Sequence, residues 1–295
     1  MILIGESIHI ISREVSTAIK ERNPRVIQDL AVAQAEAGAD YIDLNVGPAR
    51  KDPEDLMKWI VNVVQEAVDL PLSIDTMNPV AMEAGLKLCK KRPLLNSASN
   101  KTESKQQMLP LAKKYDCDVV LSVFADYGMP ADVDMRVSSI LEAAEYANSL
   151  GIPNEDIWVD PIVLPISTAG EGQAHAKAVL EFIQILPELL PGVKSTLGLS
   201  NVSNGTPKEL RPLLNRTFLV MLQRNGLYSA IADVLDKELV QLSKGEFPEI
   251  AQLIYRVMDG EEVDLSSLSR EERDYVKTAE VLVGKTLYSD AWLET

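Results

Sequence analysis

Short apolar runs alternate with longer amphipathic stretches along nearly the whole chain, a pattern that predicts β/α repetition around a parallel sheet. The runs that read as strands are Ile2–Ile4, Tyr41–Leu44, Leu72–Ile74, Leu94–Leu95, Val119–Val123, Ile157–Val159, Ser195–Leu197 and Ala230–Ala232. Helical periodicity fills the gaps at Pro24–Ala37, Pro53–Val68, Pro79–Lys90, Glu103–Tyr115, Asp132–Leu150, Ala174–Leu189 and Leu210–Asn225. Several of these begin with proline or an acidic residue in the first turn, and glycine stops recur at Ala37-Gly38-Ala39 and Leu150-Gly151-Ile152. About eight such units are what a closed α/β barrel, the TIM (β/α)8 architecture, requires.

The rhythm changes near the end. Asp236–Lys244 fits an eighth helix, followed by Phe247–Met258, an acidic loop over Asp259–Asp264 and a last helix over Arg270–Leu287. No Pro/Gly/Ser-rich linker separates these segments. The expected organisation is therefore a barrel over residues 1–240, with residues 241–295 as a C-terminal helical extension packed on it within one domain.

Composition narrows the function. At 295 residues, 46% hydrophobic, the chain can bury a sizeable core. A net charge of −15 argues against partners recognised through nucleic-acid phosphates or an anionic membrane surface. Cys89 and Cys117 stand in unrelated contexts and are expected as packed core residues; with only His9 and His175 besides, no disulfide framework or protein-bound metal is expected. His175, at an acidic, glycine-flanked helix start, reads as a surface residue. The N-terminus lacks the basic region of a signal peptide, and no apolar run approaches a membrane span, so a cytoplasmic location is expected.

The candidate chemistry lies where apolar strands give way to small polar residues. The second strand runs into Asp43-Leu44-Asn45, the third into Asp75, the fourth into Asn96-Ser97, the sixth into Asp160-Pro161 and the seventh through Gly198 to Ser200-Asn201. In a closed barrel these ends ring one mouth. The set holds carboxylates and carboxamides without a Cys or His nucleophile, which does not suit covalent acyl transfer. It suits a flat heterocycle with a donor-rich edge, because a carboxylate accepts two parallel hydrogen bonds and a carboxamide both donates and accepts. Structural roles compete at each position. Asn78 is better placed than Asp75 to cap the helix starting at Pro79, and Ser203, Asn204 and Thr206 are better placed than Ser200-Asn201 to cap the seventh helix. Asp43 and Asn45 lean toward bracing the mouth.

These residues, in this order and spacing, resemble the pterin-binding methyltransferases, specifically the methyltetrahydrofolate:corrinoid protein methyltransferases. The resemblance is carried by Ile-Gly-Glu at 4–6, Asp-Leu-Asn-Val-Gly-Pro-Ala at 43–49, Ile-Asp-Thr-Met-Asn at 74–78, Asn-Ser at 96–97 and Asp-Pro at 160–161. It continues with Leu-Gly-Leu-Ser-Asn-Val-Ser at 197–203, Arg-Pro-Leu-Leu-Asn-Arg-Thr-Phe at 211–218 and Ile-Ala-Asp at 231–233. It covers the chain to about Asp236 and resumes near Thr278–Leu293. The resemblance implies that Asp75, Asn96 and Asp160 hold a pterin ring, that Gly198, Ser200 and Arg211 line the same site, and that Asn201 contacts N5 of the folate as the catalytic group. Asp43, Asn45, His9 and Asp233 are implied as neighbours of that site. It further implies tetrahydrofolate or methyltetrahydrofolate as substrate, a corrinoid (cobalamin) supplied by a partner protein, and a homodimer. Two departures stand out: His9 where relatives commonly carry Asn, and a longer tail over about Val240–Lys277.

The implied reaction is reversible methyl transfer between N5 of the folate and cobalt, with hydrogen bonding at N5 assisting the leaving group. Two other readings compete with it. Dihydropteroate synthase would require an Asn-X-Thr-Pro-Asp-Ser-Phe loop after the first strand and a late Arg-X-His-Asp element; Glu6-Ser7-Ile8-His9 and Ile231-Ala232-Asp233 stand there instead. A non-catalytic folate-binding accessory protein is opposed only by the presence of Asn201 and Arg211. The residues leave the direction of transfer and the identity of the corrinoid protein open.

Overall fold

Eight parallel strands form the sheet of the computed structural model, which describes residues 1–49 and 51–294. They are β1 (Ile2–Gly5), β2 (Tyr41–Asn45), β3 (Leu72–Asp75), β4 (Leu94–Asn100), β5 (Asp118–Ala125), β6 (Ile157–Asp160), β7 (Lys194–Ser195) and β8 (Ser229–Ala232). Their order around the sheet is β7-β6-β5-β4-β3-β2-β1-β8. Past the end of β7 the sheet closes on itself: the Ile231 N–H donates to the Leu197 carbonyl at 2.8 Å, and Ser229 Oγ donates to the Ser195 carbonyl at 3.3 Å. Eleven helices accompany the strands among the described residues: α1 (Arg13–Glu21), α2 (Pro24–Ala37), α3 (Pro53–Ala67), α4 (Pro79–Leu88), α5 (Thr102–Tyr115), α6 (Val133–Ser149), α7 (Gly172–Leu189), α8 (Arg211–Arg224), α9 (Lys237–Ser243), α10 (Pro248–Met258) and α11 (Arg270–Leu282). This is the barrel that the hydrophobic pattern predicts.

Two cores follow from the geometry. Most buried apolar side chains fill the layer between the sheet and its helices, while Ile4, Leu94, Val120, Trp158 and Ile231 form a separate cluster. The second cluster alternates with the first along the strands, as a two-sided strand demands. Trp158 meets Tyr41 and Tyr228 edge-on, with centroids 5.7 and 5.3 Å apart, and its indole N–H donates to Asp118 at 3.1 Å. Tyr41 starts β2 and Tyr228 precedes β8, so this aromatic group closes the end of the barrel opposite the polar strand ends.

Several details depart from the pattern. Helix α1 has no counterpart among the predicted elements; of its residues only Val15, Ala18 and Ile19 are buried, too short an apolar stripe to stand out. β4 does not stop at Asn96-Ser97 but continues to Asn100, with shifted pairing to β5 between Leu95 and Ala98. β7 is only Lys194–Ser195, and its further pairing comes from single bonds at Thr196 and Leu197. Helix α11 ends at Leu282 instead of Leu287.

His175 is a correction. It is buried, not a surface residue, and its Nδ1 lies 2.8 Å from Arg136 Nη2. Its neighbours on one face of α7, Ala176, Val179, Phe182 and Ile183, are buried with it. Burial, aided by the Arg136 guanidinium, holds the imidazole below its ordinary pKa. Asn78 does cap α4, accepting from Val80 and Ala81 N–H. Ser203, Asn204 and Thr206 do not cap α8; Leu210 occupies its N-cap, and Ser203 and Thr206 instead donate to carbonyls of the turn Leu199–Ser203.

Candidate active site

The register of the sheet sets the polar residues side by side. Asn45 of β2 pairs with Asp75 of β3, and Asp75 pairs with Asn96 of β4, placing these three at one level on adjacent strands. Ser122 of β5 and Asp160 of β6 form the next matched pair around the ring. Asn45, Asp75 and Asp160 are the last residues of their strands, while Asn96 and Ser122 stand level with them inside the longer β4 and β5.

Direct bonds tie the set together. Asn45 Nδ2 donates to Asp75 Oδ2, and Asn45 Oδ1 accepts from the Gly47 N–H at 3.1 Å, fixing the amide's orientation. Asp43 lies 3% exposed beneath them and accepts from Ser73 Oγ at 2.6 Å and from Asn96 Nδ2 at 3.1 Å. Asn45 thus hydrogen-bonds to Asp75 on β3, and Asp43 to Asn96 on β4. Asp160 Oδ1 accepts from the Ile162 N–H at 2.7 Å, turning the chain directly after β6.

Burial dominates the electrostatics. It raises the Asp43 carboxyl to about 6, against the opposing hydrogen bonds from Ser73 and Asn96. It raises Asp160 to about 6, against the Ile162 N–H. Asp75 is raised well above the usual carboxylate range, first by burial and then by the nearby Asp43, while Asn45 pulls it back. Carboxyls held in this way take up a proton more readily than exposed ones, and hydrogen-bond donors oppose that.

The remaining predicted residues face the β7–β8–β1 side. After β7, Gly198 leads into a single 3-10 turn, Leu199–Ser203, that carries Ser200 and Asn201. A Cβ on Gly198 would lie 3.2 Å from Asn201 Nδ2, so glycine is what lets the amide lie against the backbone there. Ser200 Oγ donates to Glu6 Oε2 at 3.2 Å. Arg211, at the start of α8, donates from Nε to the Thr206 carbonyl at 3.0 Å. Asp233, exposed after β8, accepts from the Leu235 N–H. His9 is joined to β2 through Ile10 N–H to the Asn45 carbonyl at 3.0 Å, and burial lowers its pKa while Asp233 opposes this.

An open cavity of about 800 Å³ occupies this side. Glu6, Ser200, Arg211 and Asp233 line it; Asp75, Asn96, Asp160 and Asn201 do not. The polar ring on β2–β6 and this cavity are neighbouring parts of one barrel mouth, joined through Glu6, which carries charge interactions with both Asp43 and Asp233. Sequence reasoning missed Glu6 and Ser73 as site residues. Glu6 follows the first apolar run directly, the same signal by which Asp75 and Asp160 were found.

A family described as pterin binding enzymes matches residues 12–233. A methylcorrinoid:tetrahydrofolate methyltransferase of Eubacterium limosum is 35% identical over 242 residues, 81% of this chain and 88% of the relative. In fold, the chain resembles a dihydropteroate synthase of Clostridium difficile (TM-score 0.63, 18% identity, covering 84% of this chain and 96% of that one). A dihydropteroate synthase of Yersinia pestis gives a TM-score of 0.59 at 16% identity, covering 84% and 93% of the two chains. With the family match spanning most of the barrel, the chain belongs to the pterin-binding enzymes.

Proposed function

We propose that this protein is a methyltransferase that moves a methyl group reversibly between N5 of tetrahydrofolate and the cobalt of a corrinoid carried by a partner protein. The observation that carries this reading is the matched row Asn45–Asp75–Asn96 with Asp160 further round the ring, acceptors and amides set at one level for the edge of a flat heterocycle. The 35% identity to a methylcorrinoid:tetrahydrofolate methyltransferase supports the choice of reaction within the family. The likeness to the dihydropteroate synthases is one of fold alone.

In this reading Asp75, Asn96 and Asp160 hold the pterin, Gly198, Ser200 and Arg211 line the site, and Asn201 bonds N5. Hydrogen bonds to the two carboxylates contribute roughly 1.5–3 kcal/mol each and the neutral one to Asn96 about 1 kcal/mol, enough to orient the ring. The reduced cobalt is the nucleophile toward methyltetrahydrofolate, so the protein needs none of its own. Its task is to stabilise charge developing at N5, and Asn201 does this mostly in the transition state. The corrinoid protein docks over the mouth, the chain works as a homodimer in the cytoplasm, and residues 241–295 pack on the barrel as part of the same domain. Among the described residues no helix is long and apolar enough to cross a membrane.

The test is to mix the protein with cob(I)alamin and methyltetrahydrofolate and follow the loss of the Co(I) absorbance. Turnover that falls far more than folate affinity in Asn201→Ala is the expected result. No spectral change with either free or protein-bound corrinoid overturns the reading.

A further inference from the structure

Methyl transfer to tetrahydrofolate releases a proton. The N5 lone pair attacks the methyl carbon, the cobalt–carbon bond breaks with its electron pair left on cobalt, and N5 must shed its hydrogen. The reverse transfer requires a proton delivered to N5. Asn201, a carboxamide, can hold such a proton in a hydrogen bond but cannot accept it.

Glu6 is built to do so. It leaves the end of β1 at the barrel mouth, fixed on both sides: its N–H donates to the Ala232 carbonyl at 3.1 Å, and the next N–H, Ser7, donates to Gln34 Oε1 at 2.9 Å. Gln34 is fully buried, and a Cβ on Gly5 would lie 2.5 Å from its Oε1, so glycine is needed for this clamp. The Glu6 carboxyl takes the hydrogen bond of Ser200, the residue before Asn201, and borders the open cavity. We propose that Glu6 is the proton-holding residue of the methyl transfer, exchanging the N5 proton through the Ser200 hydroxyl. In the direction of folate methylation, N5 gives its proton to Ser200 Oγ while the Ser200 proton passes to the Glu6 carboxylate; the return transfer reverses both moves. The assignment rests on the function proposed above.

The groups around Glu6 suit that task. Asp43 on β2 and Asp233 after β8 both press the carboxyl toward its neutral form, and burial does so most strongly, bringing it to about 8 against the pull of Ser200. On the α8 side of the cavity stand Lys208 and Arg211; Arg216 is engaged by Asp236 and Glu238, and Lys237 and Glu271 complete the charged wall. A group that titrates close to neutrality exchanges protons in either direction with little driving force lost.

The experiment is a pH series, from 5.5 to 9.5, of single-turnover rates in both directions for the wild type, Glu6→Gln and Ser200→Ala, with methylcobalamin plus tetrahydrofolate one way and cob(I)alamin plus methyltetrahydrofolate the other. In the wild type, folate methylation is expected to rise with pH through a midpoint near 8, levelling off about one unit higher, and methyl loss from methyltetrahydrofolate to decline over the same range. Glu6→Gln and Ser200→Ala are expected to lose this ionisation from both profiles and to slow both reactions by about 10²-fold. Folate binding by calorimetry, retained within about threefold in Glu6→Gln, shows that the site is folded; Glu6→Asp serves as the conservative rescue. Wild-type profiles kept in Glu6→Gln, or a Ser200→Ala variant that differs from it, overturn the role of Glu6 and leave the methyltransferase reading standing. A wild type inactive in both directions overturns both.

Discussion

At the scale of single residues, the unusual feature is how many carboxyls the site buries without a cation. Asp43, Asp75 and Asp160 receive hydrogen bonds from Ser73, Asn96, Asn45 and the Ile162 N–H, and no lysine or arginine pairs with them among the described contacts. Such groups await donors. If a pterin's N–H/NH₂ edge replaces the proton on Asp75, binding near neutral pH should release protons, read as a folate-binding enthalpy that changes with the ionisation heat of the buffer. Asp75→Asn should abolish that dependence and weaken folate binding at least tenfold, because an amide cannot accept two parallel donors. Asp160 has the opposite consequence for stability. Its folded carboxyl titrates at about 6 against an ordinary value of 3.8, so the folded state binds the proton more tightly, and stability from this group falls as pH rises from about 4 to about 6. The difference corresponds to roughly 3 kcal/mol. Asp160→Asn keeps an acceptor for Ile162 and removes the charge; it should resist urea better than the wild type at pH 8, lose that advantage near pH 4, and bind folate more weakly. Equal urea midpoints at pH 8 would speak against a strained, buried carboxylate here.

At the scale of elements, the loop after β6 depends on a buried cation. Arg136 on α6 is fully buried and donates to the Pro161 carbonyl at 3.2 Å, to the Asp132 carbonyl at 3.0 Å, and meets His175 on α7. It therefore joins two helices to the turn that fixes Asp160. Burial lowers its pKa to about 10, so it stays charged at neutral pH, with backbone oxygens as its main counterparts. Arg136→Met leaves those carbonyls without donors and should reduce stability by about 3 kcal/mol in chemical denaturation. It should also weaken folate binding, since the Asp160 turn loses its anchor; Asn78→Ala, which removes only the α4 cap, should destabilise by about 1 kcal/mol. These elements show what a sequence makes legible. Strands and helices with strong periodicity, such as α2 over Pro24–Ala37, were placed to the residue, because cap, proline and apolar spacing agree. The polar strand ends were legible for the same reason: a carboxylate after a buried run has no packing role there. The Arg136–His175 pair was not, because the two side chains lie far apart in sequence and local composition suggested solvent. Its signal was the spacing of His175 with Val179 and Phe182 on the buried face of α7. Nor could the 3-10 turn that presents Ser200 and Asn201 be told from an ordinary helix start.

At the scale of the whole molecule, the question is whether the helices after β8 merely decorate the barrel or help hold its mouth. Arg216 on α8 forms a two-bond pair with Asp236, with Nε and Nη2 at 2.8 and 2.7 Å, and a further bond to Glu238 at 2.5 Å. Glu238 in turn receives the hydroxyl of Tyr275, a fully buried residue of α11. Asp236 is the N-cap of α9 and ends the loop that begins at Asp233, so a chain of contacts runs from the last long helix to the rim of the cavity. The apolar face of α11, with Tyr275, Val276, Ala279 and Leu282, is buried in the same main core as α8. Removing that helix would strip apolar cover from α8 and leave Glu238 without its hydroxyl partner, at a cost comparable with the margin by which a domain is stable. The barrel and residues 241–295 should therefore unfold together. Scanning calorimetry of the full chain is expected to give one transition, with calorimetric and van't Hoff enthalpies equal per cooperative unit. Tyr275→Phe, which deletes one oxygen, should lower its stability by about 1–2 kcal/mol while keeping it single. Two transitions, one of them lost when the chain stops after Ser243, would mean that the extension is an independent unit and that the rim of the cavity stands without it.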